Sequence, residues 1–319
     1  MQGRIVGKRY RIIKQINSGA TAVVYAAEDI EATDRTPVAL KVMNAENGRM
    51  IVSTSAVRRE IEYASTLRHP HVVQLLDVFA ERERIVIVWE LIQGPDLLDL
   101  LNECGGKLSE MQAAFYFEQL LQAVDFLHAT GLCHRDLKPE NCMVDRATQQ
   151  LKLIDFGLSK HLESAKTLGV GTLDYMCPEM LAETVRRSAL DPPGHYDPKA
   201  VDVWGLGVIL YLMVTGEFPF QDNAHPESAA HTLRNIMAGR MQAIPPGISR
   251  ECALLITSAL ESNPAHRVTL EEMLHCPWLG AMAERFRAQL EATQASLVDA
   301  GTSMGLVEGS SVEGSSAGG

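Results

Sequence analysis

A chain of 319 residues, 46% hydrophobic and 22% charged, can bury a large core, and its length favours two domains or lobes. Its net charge of −11 argues against nonspecific nucleic-acid binding and suits basic substrates, although a solvated acidic surface gives the same balance. The longest apolar run, Val203 to Val214, is too short to span a bilayer, and six scattered cysteines without Cys-x-x-Cys spacing point to free thiols.

The first residues, MQGRIVGKRY, lack the apolar core of a signal peptide, and Gln2 stands where myristoylation requires glycine. Cytosol or nucleus is the expected address, with no membrane and no nucleic acid as partner. Residues 1–9 are expected to be an extension. From Tyr10 to Met43 the runs YRIIKQI, AVVYAAEDI and PVALKVM alternate with turn-like stretches and predict antiparallel strands. In SAVRREIEYASTLRH, Val57, Ile61, Ala64 and Leu67 recur at helical spacing, and VVQLLDVFA and RIVIVWELI predict two more strands. After Gly94 and Pro95 the pattern turns helical, and Ser109 and Gly131 stand as cap candidates around a long helix. Strands first and helices later imply a small sheet-rich lobe joined to a larger helical one. Near the end, Met282, Phe286, Leu290 and Leu297 form a loose helical stripe over 280–298, expected to pack on the body, with partner docking as the other reading. The Gly/Ser/Glu-rich stretch 299–319 is expected to be disordered.

Between Ile16 and Val24, INSGATAVV resembles a phosphate-cradling loop that has kept one glycine of three, Gly19, with Asn17 and Ala22 at the other two places. Alone it is a weak signal against an ordinary hairpin. Downstream come VALK (Val38 to Lys41), Glu60, HRDLKPEN (His134 to Asn141), DFG (Asp155 to Gly157) and CPE (Cys177 to Glu179). In this order the chain resembles the eukaryotic serine/threonine protein kinases over Tyr10 to Leu279. The resemblance implies an α+β, bilobal protein kinase fold. A small antiparallel β-sheet lobe with one helix and the hinge would occupy 10–92, and a larger mainly helical lobe 93–279.

It also implies ATP and Mg2+ as cofactors and assigns roles residue by residue. Phosphoryl transfer spreads negative charge over three oxygens, so a site for it needs cations and positioned donors. Lys41 would contact the α- and β-phosphates and be held by Glu60. Asn141 and Asp155 would supply oxygen ligands to magnesium, a hard cation. Asp136 would accept the proton of the substrate hydroxyl, and Lys138 would neutralise the transferring group; Asp-x-Lys is the serine/threonine version of this loop. Adenine would lie between Ile16, Val24 and Ala39 above and Met143 below, against hinge backbone from Glu90 to Ile92. Trp89 would stand at the rear of that pocket, a bulkier residue than the family pattern leads one to expect. Asn tolerates positive φ and Ala adds one methyl, so the loop is expected to close while being stiffer.

Glu179 and Arg267 would form a structural ion pair, and Asp202 would tie the catalytic loop to a central helix. HPHVVQLLDVF and EEMLHCPWL are most similar to the calcium/calmodulin-dependent protein kinase group, yet the mixed charges of AERFRAQLEATQASL disfavour calmodulin binding. Asp96 and Glu140 imply protein substrates with basic residues upstream of Ser or Thr. Arg135 would grip a phosphate on Thr167, with Ser164 as competitor, while Thr172 would touch the catalytic Asp136 and Lys138. A loop ordered without phosphate stays open as an alternative. Two other readings remain: a kinase-fold scaffold without catalysis, which has no need for Lys41, Asp136, Asn141 and Asp155 together, and a dinucleotide-binding oxidoreductase, which needs a helix where a β-type run follows the loop.

Overall fold

Among the described residues, the strands β1 (Ile5–Val6), β2 (Tyr10–Ser18), β3 (Ala22–Asp29), β4 (Pro37–Met43), β5 (Ala45–Glu46), β6 (Arg49–Met50), β7 (Leu75–Glu81) and β8 (Arg84–Glu90) build the small lobe. The structure, a computed structural model, describes residues 2–19, 22–43, 45–46, 49–50, 61–81, 84–155, 173–186 and 196–305. Six strands form one antiparallel sheet in the order β1-β2-β3-β4-β8-β7, and β5 pairs with β6 apart from it. Successive residues of a strand point to opposite faces, so the alternating pattern sorts itself. Tyr10, Ile12, Tyr25, Val38, Leu40, Val86 and Val88 pack on one face. Ala22, Met43, Leu75 and Ile87 pack on the other together with Ala64. Residues 61–64 are helical, whereas Val57 and the start of the expected helix lie outside the described residues.

The extension expected at 1–9 is part of the sheet. Ile5 and Val6 pair with Arg11 and Tyr10, Val6 is buried, and Arg4 meets Glu81 at 3.0 Å. Two residues are too short a run for periodicity to register, and the pairing partner that makes them a strand lies in β2.

The large lobe holds α1 (Leu97–Glu103), α2 (Glu110–Ala129), α3 (Pro178–Arg186), α4 (Pro198–Thr215), α5 (Ala229–Met237), α6 (Arg250–Ala259), α7 (Leu270–Leu274), α8 (Pro277–Gly305) and the hairpin strands β9 (Cys142–Val144) and β10 (Leu151–Leu153). Ser109 starts α2 with a reciprocal capping box to Gln112. The central helix is α4, capped by the Asp197 carboxylate and ended by Gly216 in the left-handed region; every residue from Val201 to Val214 is buried. It is long and apolar enough to cross a membrane by composition, and 83% of it is buried inside this lobe instead. Arg267 is also buried, forked onto Glu179 at 2.7 and 3.1 Å, bonded to the Ala200 and Glu261 carbonyls, and stacked 5.0 Å from the Trp204 ring centroid.

The stripe on α8 packs as expected: Phe286 lies 5.2 Å from Phe115 and 6.4 Å from Tyr116, and Arg287 reaches Glu118 on α2 at 2.6 Å. The Leu297 side chain lies outside the described residues. One expectation is corrected here. The helix starts at Pro277 and continues through Gly305, so 299–305, assigned to a disordered tail, belong to α8; residues 306–319 lie outside the described residues. An established helix adds residues at small cost, and the single glycine early in that stretch, Gly301, weakens it by about 1 kcal/mol without stopping it.

Both lobes meet at the hinge, where Val144 N–H donates to the Pro95 carbonyl at 2.9 Å and Arg146 N–H to that of Gln93 at 3.1 Å. Gly94 lies between these contacts, and a Cβ built on it would stand 1.9 Å from the Val144 carbonyl oxygen. Backbone cannot yield as a side-chain tip does. Gly94→Ala is therefore expected to separate the hinge from β9 and to cost roughly 2–3 kcal/mol, at the upper end of overpacking. Chemical denaturation of both proteins checks this; an unchanged midpoint would contradict it.

Candidate active site

Sheet register assembles the upper wall of the site. Lys41 sits opposite Val24 on β3 and Ile87 on β8, and Ala39 sits opposite Trp89. Directly opposed residues share a face, so Val24, Ala39, Lys41 and Trp89 all look toward the large lobe. Val24 and Ala39 are half-buried, Ile92 is buried, and Ile16 near the end of β2 is 45% exposed. Below them, Met143 on β9 bridges to Asp96 at the start of the large lobe. Val24 and Ala39 thus share the sheet face of Lys41, and Met143 stands on the strand bridged to Asp96.

The loop between β2 and β3 is closed by Gly19 N–H donating to the Ala22 carbonyl at 2.9 Å. Asn17 pairs with Val24 in the ladder, and its carboxamide oxygen accepts from Ser18 N–H at 2.7 Å. Ala22 begins β3 and is 5% exposed, packed with Met43, Leu75 and Ile87. The third glycine position of the pattern is therefore a core position here. At Gly19, among the described residues, a Cβ would meet the Ala22 carbonyl at 3.7 Å, ordinary contact. A residue without a side chain leaves room for a phosphate to approach backbone. Ala20 and Thr21 lie outside the described residues.

Asp202 holds the catalytic loop from beneath. Its Oδ1 accepts from Arg135 N–H at 2.7 Å and its Oδ2 from His134 N–H at 2.9 Å, while His128 Nε2 is 2.8 Å from the same Oδ2. This is the tie to the central helix that the sequence predicts. His134 is buried, and burial pushes its imidazole below the usual histidine range, which favours the neutral form. Asp136 N–H donates to its Nδ1 at 3.3 Å, which puts the ring proton on Nε2, 3.3 Å from the Ile154 carbonyl. A neutral imidazole thus links the loop carrying Asp136 to the residue before Asp155. Arg135 at φ 63° and Asp155 at φ 55° both sit in the left-handed region. Each costs about 1–3 kcal/mol unless the surroundings hold it, and such strain gathers where side chains must be aimed.

The hairpin of β9 and β10 brings the oxygen donors together. Asn141 directly precedes β9, Asp155 follows β10 by two residues, and Ile154 N–H donates to the Asn141 carbonyl at 2.8 Å. Asn141 is buried, and its Nδ2 donates to the Asp136 carbonyl at 2.8 Å and to Asp136 Oδ2 at 3.3 Å, which directs its Oδ1 away from Asp136. Lys138 Nζ lies 3.4 Å from Asp136 Oδ2, and Lys41 Nζ lies 3.0 Å from Asp155 Oδ1 across the cleft. The Asn141 carboxamide and the Asp155 carboxylate form a hard oxygen donor set, with Lys41 beside Asp155 and Lys138 beside Asp136 for phosphate charge. That set fits Mg2+ and a polyphosphate. Glu60, Ser164, Thr167 and Thr172 lie outside the described residues.

Asp96 caps α1, accepting from Asp99 N–H at 2.9 Å, and Glu140 is exposed beside the Tyr175 hydroxyl at 3.5 Å. Burial pushes the Cys142 thiol up, and the negative charges of Glu140 and Asp96 add to that. Sequence reasoning missed an anchor of the hinge. Lys152 on β10 reaches Glu90 Oε1 at 2.8 Å, and Gln74 N–H donates to the same oxygen at 2.8 Å. The pair is 62 residues apart in sequence and no motif marks it. Trp89 packs against core clusters of both lobes, filling the space behind the cleft, which is the space-filling role expected of it.

The family described as Protein kinase domain matches residues 10–279. Serine/threonine-protein kinase SAPK9 of Oryza sativa subsp. japonica is 36% identical over 277 residues, covering 85% of this chain and 72% of that protein. SAPK2 of Oryza sativa subsp. indica is 35% identical over 277 residues, covering 85% and 76%. CBL-interacting serine/threonine-protein kinase 3 of Arabidopsis thaliana is 35% identical over 281 residues, covering 86% of this chain, which spans only 59% of that relative's length.

Proposed function

The chain belongs to the eukaryotic protein kinase family, and from that premise we propose which of its residues hold Mg-ATP and which read the substrate. It is a protein serine/threonine kinase, as its relatives are named, and its substrates are proteins. The observation that carries the site assignment is the convergence of Lys41, Asp136, Asn141 and Asp155 in one cleft through the β9–β10 pair. A noncatalytic scaffold leaves that convergence without a purpose.

When bound, magnesium neutralises charge on the phosphates of ATP. Asn141 and Asp155 hold the metal, and Lys41 steadies the α- and β-phosphates while its pairing with Asp155 keeps both side chains aimed at one place. Gly19 lets backbone close over the phosphates. Val24 and Ala39 above and Met143 below grip the adenine, whose edge meets the hinge from Glu90 to Ile92. Asp136, fixed by Asn141 and by the neutral His134, accepts the proton of the substrate hydroxyl and orients it in line. Lys138 lies beside that carboxylate to offset charge on the moving phosphoryl group.

Substrate reading follows from Asp96 and Glu140. Asp96 is bridged to Met143 and Glu140 is exposed beside Tyr175, on a chain of net charge −11, and an arginine upstream of the acceptor would meet them. An arrayed peptide library incubated with Mg-ATP, wild type beside Asp155→Asn, tests activity and specificity together. Arg three residues before Ser or Thr is expected to be preferred, and Asp96→Asn to reduce that preference by about tenfold, as one ion pair is worth. Proline-directed or acidic selection by the wild type would contradict the assignment.

Arg135 places an exposed cation directly before Asp136. We assign it the phosphate of a phosphorylated Thr167, or of Ser164, gripped through charge-assisted hydrogen bonds. Phosphatase treatment is expected to lower activity about tenfold or more, and Thr167→Ala to make the enzyme insensitive to it. Equal activity after treatment, with Thr167→Ala and Ser164→Ala also unchanged, removes the switch.

A further inference from the structure

Three metal-ligating side chains meet on the large lobe outside the nucleotide cleft, where the loop after α4 enters α5. We propose that Asp222, His225 and His231 form a zinc site. Asp222 Oδ2 lies 3.6 Å from His225 Nδ1 and 3.4 Å from His231 Nδ1, and one ligand atom from each residue falls within 4.8 Å of the other two. Four ligands at zinc bond lengths of about 2.0–2.1 Å stand about 3.3–3.4 Å apart when tetrahedral. Two of the three edges are therefore close to tetrahedral spacing already, and a small rotation of His225, 60% exposed, closes the third.

The chemistry of the donors selects the metal. Magnesium takes oxygen ligands in an octahedron with edges of about 3 Å, so two imidazoles make this a poor site for the ion that serves the nucleotide. Imidazole with carboxylate suits zinc, and three protein ligands leave the fourth position to water or an incoming group.

The site is also built. His231 Nδ1 is shut off from solvent and makes no hydrogen bond, an arrangement that leaves a buried nitrogen unsatisfied unless something else engages it. The two imidazole rings stand edge to face, with centroids 4.6 Å apart and planes at 69°, rather than stacked away from the carboxylate. Asp222 Oδ1 accepts from Ala224 N–H at 2.9 Å, which leaves Oδ2 turned to the histidines. Backbone bonds from His225 to Asp222, Ser228 to His225 and His231 to Ser228, at 2.9, 3.0 and 2.9 Å, fix the spacing of the ligands. Asn223 and Gln242 clamp the loop by exchanging side-chain amide bonds at 2.9 Å each way. Metal binding here ties the loop to the first turn of α5, which packs against the turn Leu173–Tyr175 between Asp155 and Glu179.

The full chain, stripped with EDTA and held in saturating Mg2+, is titrated with Zn2+ against a chromogenic chelator. One zinc is expected to bind the wild type, and His225→Ala is expected to weaken it by more than about 100-fold, beyond the loss seen when only an outer partner of a ligand is removed. Circular dichroism of the metal-free proteins confirms that the variant folds, as replacing an exposed side chain should allow. Asp222→Asn/His225→Ala serves as a second variant, with the same loss expected. Because six cysteines also attract zinc, Co2+ is bound in parallel, and absorption without thiolate charge-transfer bands is expected. Equal zinc affinity in wild type and both variants, no zinc in the wild type, or thiolate bands that dominate the cobalt spectrum would each overturn the proposal. None of these results touches the kinase assignment, which rests on other residues.

Discussion

Lys41→Met and Asp155→Asn are each expected to lower kcat by about 10³-fold or more while leaving the protein folded, because each removes charge placed for the transferring phosphoryl group. The two side chains meet at 3.0 Å across the cleft, with 18% and 50% of their surface exposed. A half-exposed carboxylate left without its lysine is taken up by water, so the stability change should stay within about 1 kcal/mol. That separates a chemical defect from a folding one. The measurement is kcat with a peptide substrate beside a thermal melt of the same preparations. Near-wild-type turnover in both variants would sink the assignment of the cleft, and a melt lowered as far as the activity would make the loss structural.

The largest stability effect is expected at Arg267. Its guanidinium is 1% exposed and its partner Glu179 14%, and the fork between them is supplemented by the Ala200 and Glu261 carbonyls. Arg267→Ala strands the Glu179 carboxylate in a poorly hydrated site and removes a donor from each of two carbonyls. Breaking a buried pair from one side costs about 3–5 kcal/mol, on the order of 10 °C in Tm for a chain of this size. Removing both partners at once is a different experiment. Glu179→Leu/Arg267→Met leaves no stranded charge and should recover a substantial part of the loss. A single variant that melts with the wild type, or a double variant worse than the sum of its singles, would contradict this account.

Most of the site was legible because phosphoryl transfer demands particular residue types in a particular chain order. Lys41 after Val-Ala-Leu, Asp136 and Asn141 within one loop and Asp155 before Phe-Gly identify themselves by neighbours a few residues away. Asp202 and the Glu179–Arg267 pair were legible for the same reason. The pair Glu90–Lys152 was not, since neither residue has a local signature and their meeting depends on where β10 passes the hinge. The same holds for β1, which is a strand only because β2 pairs with it, and for the continuation of α8 through residues that composition marks as tail.

By itself the sequence determined the two lobes, through periodicity that changes from two to 3.6 along the chain. It determined the central helix α4 by apolar content, and the set of charged groups available for catalysis by motif. Only the tertiary structure decided how those groups face one another. It showed that Ala22 in the phosphate loop is a core residue, and that a neutral His134 links Asp136 to the Ile154 carbonyl. It also showed that Gly94 is required by a carbonyl of β9, and that Asp222, His225 and His231 converge. In each case the contact joins residues whose separation is set by packing rather than by covalent spacing. Composition and motif constrain which side chains exist and how neighbours are arranged, whereas the burial of a polar nitrogen or the approach of two backbones is a property of the assembled lobes.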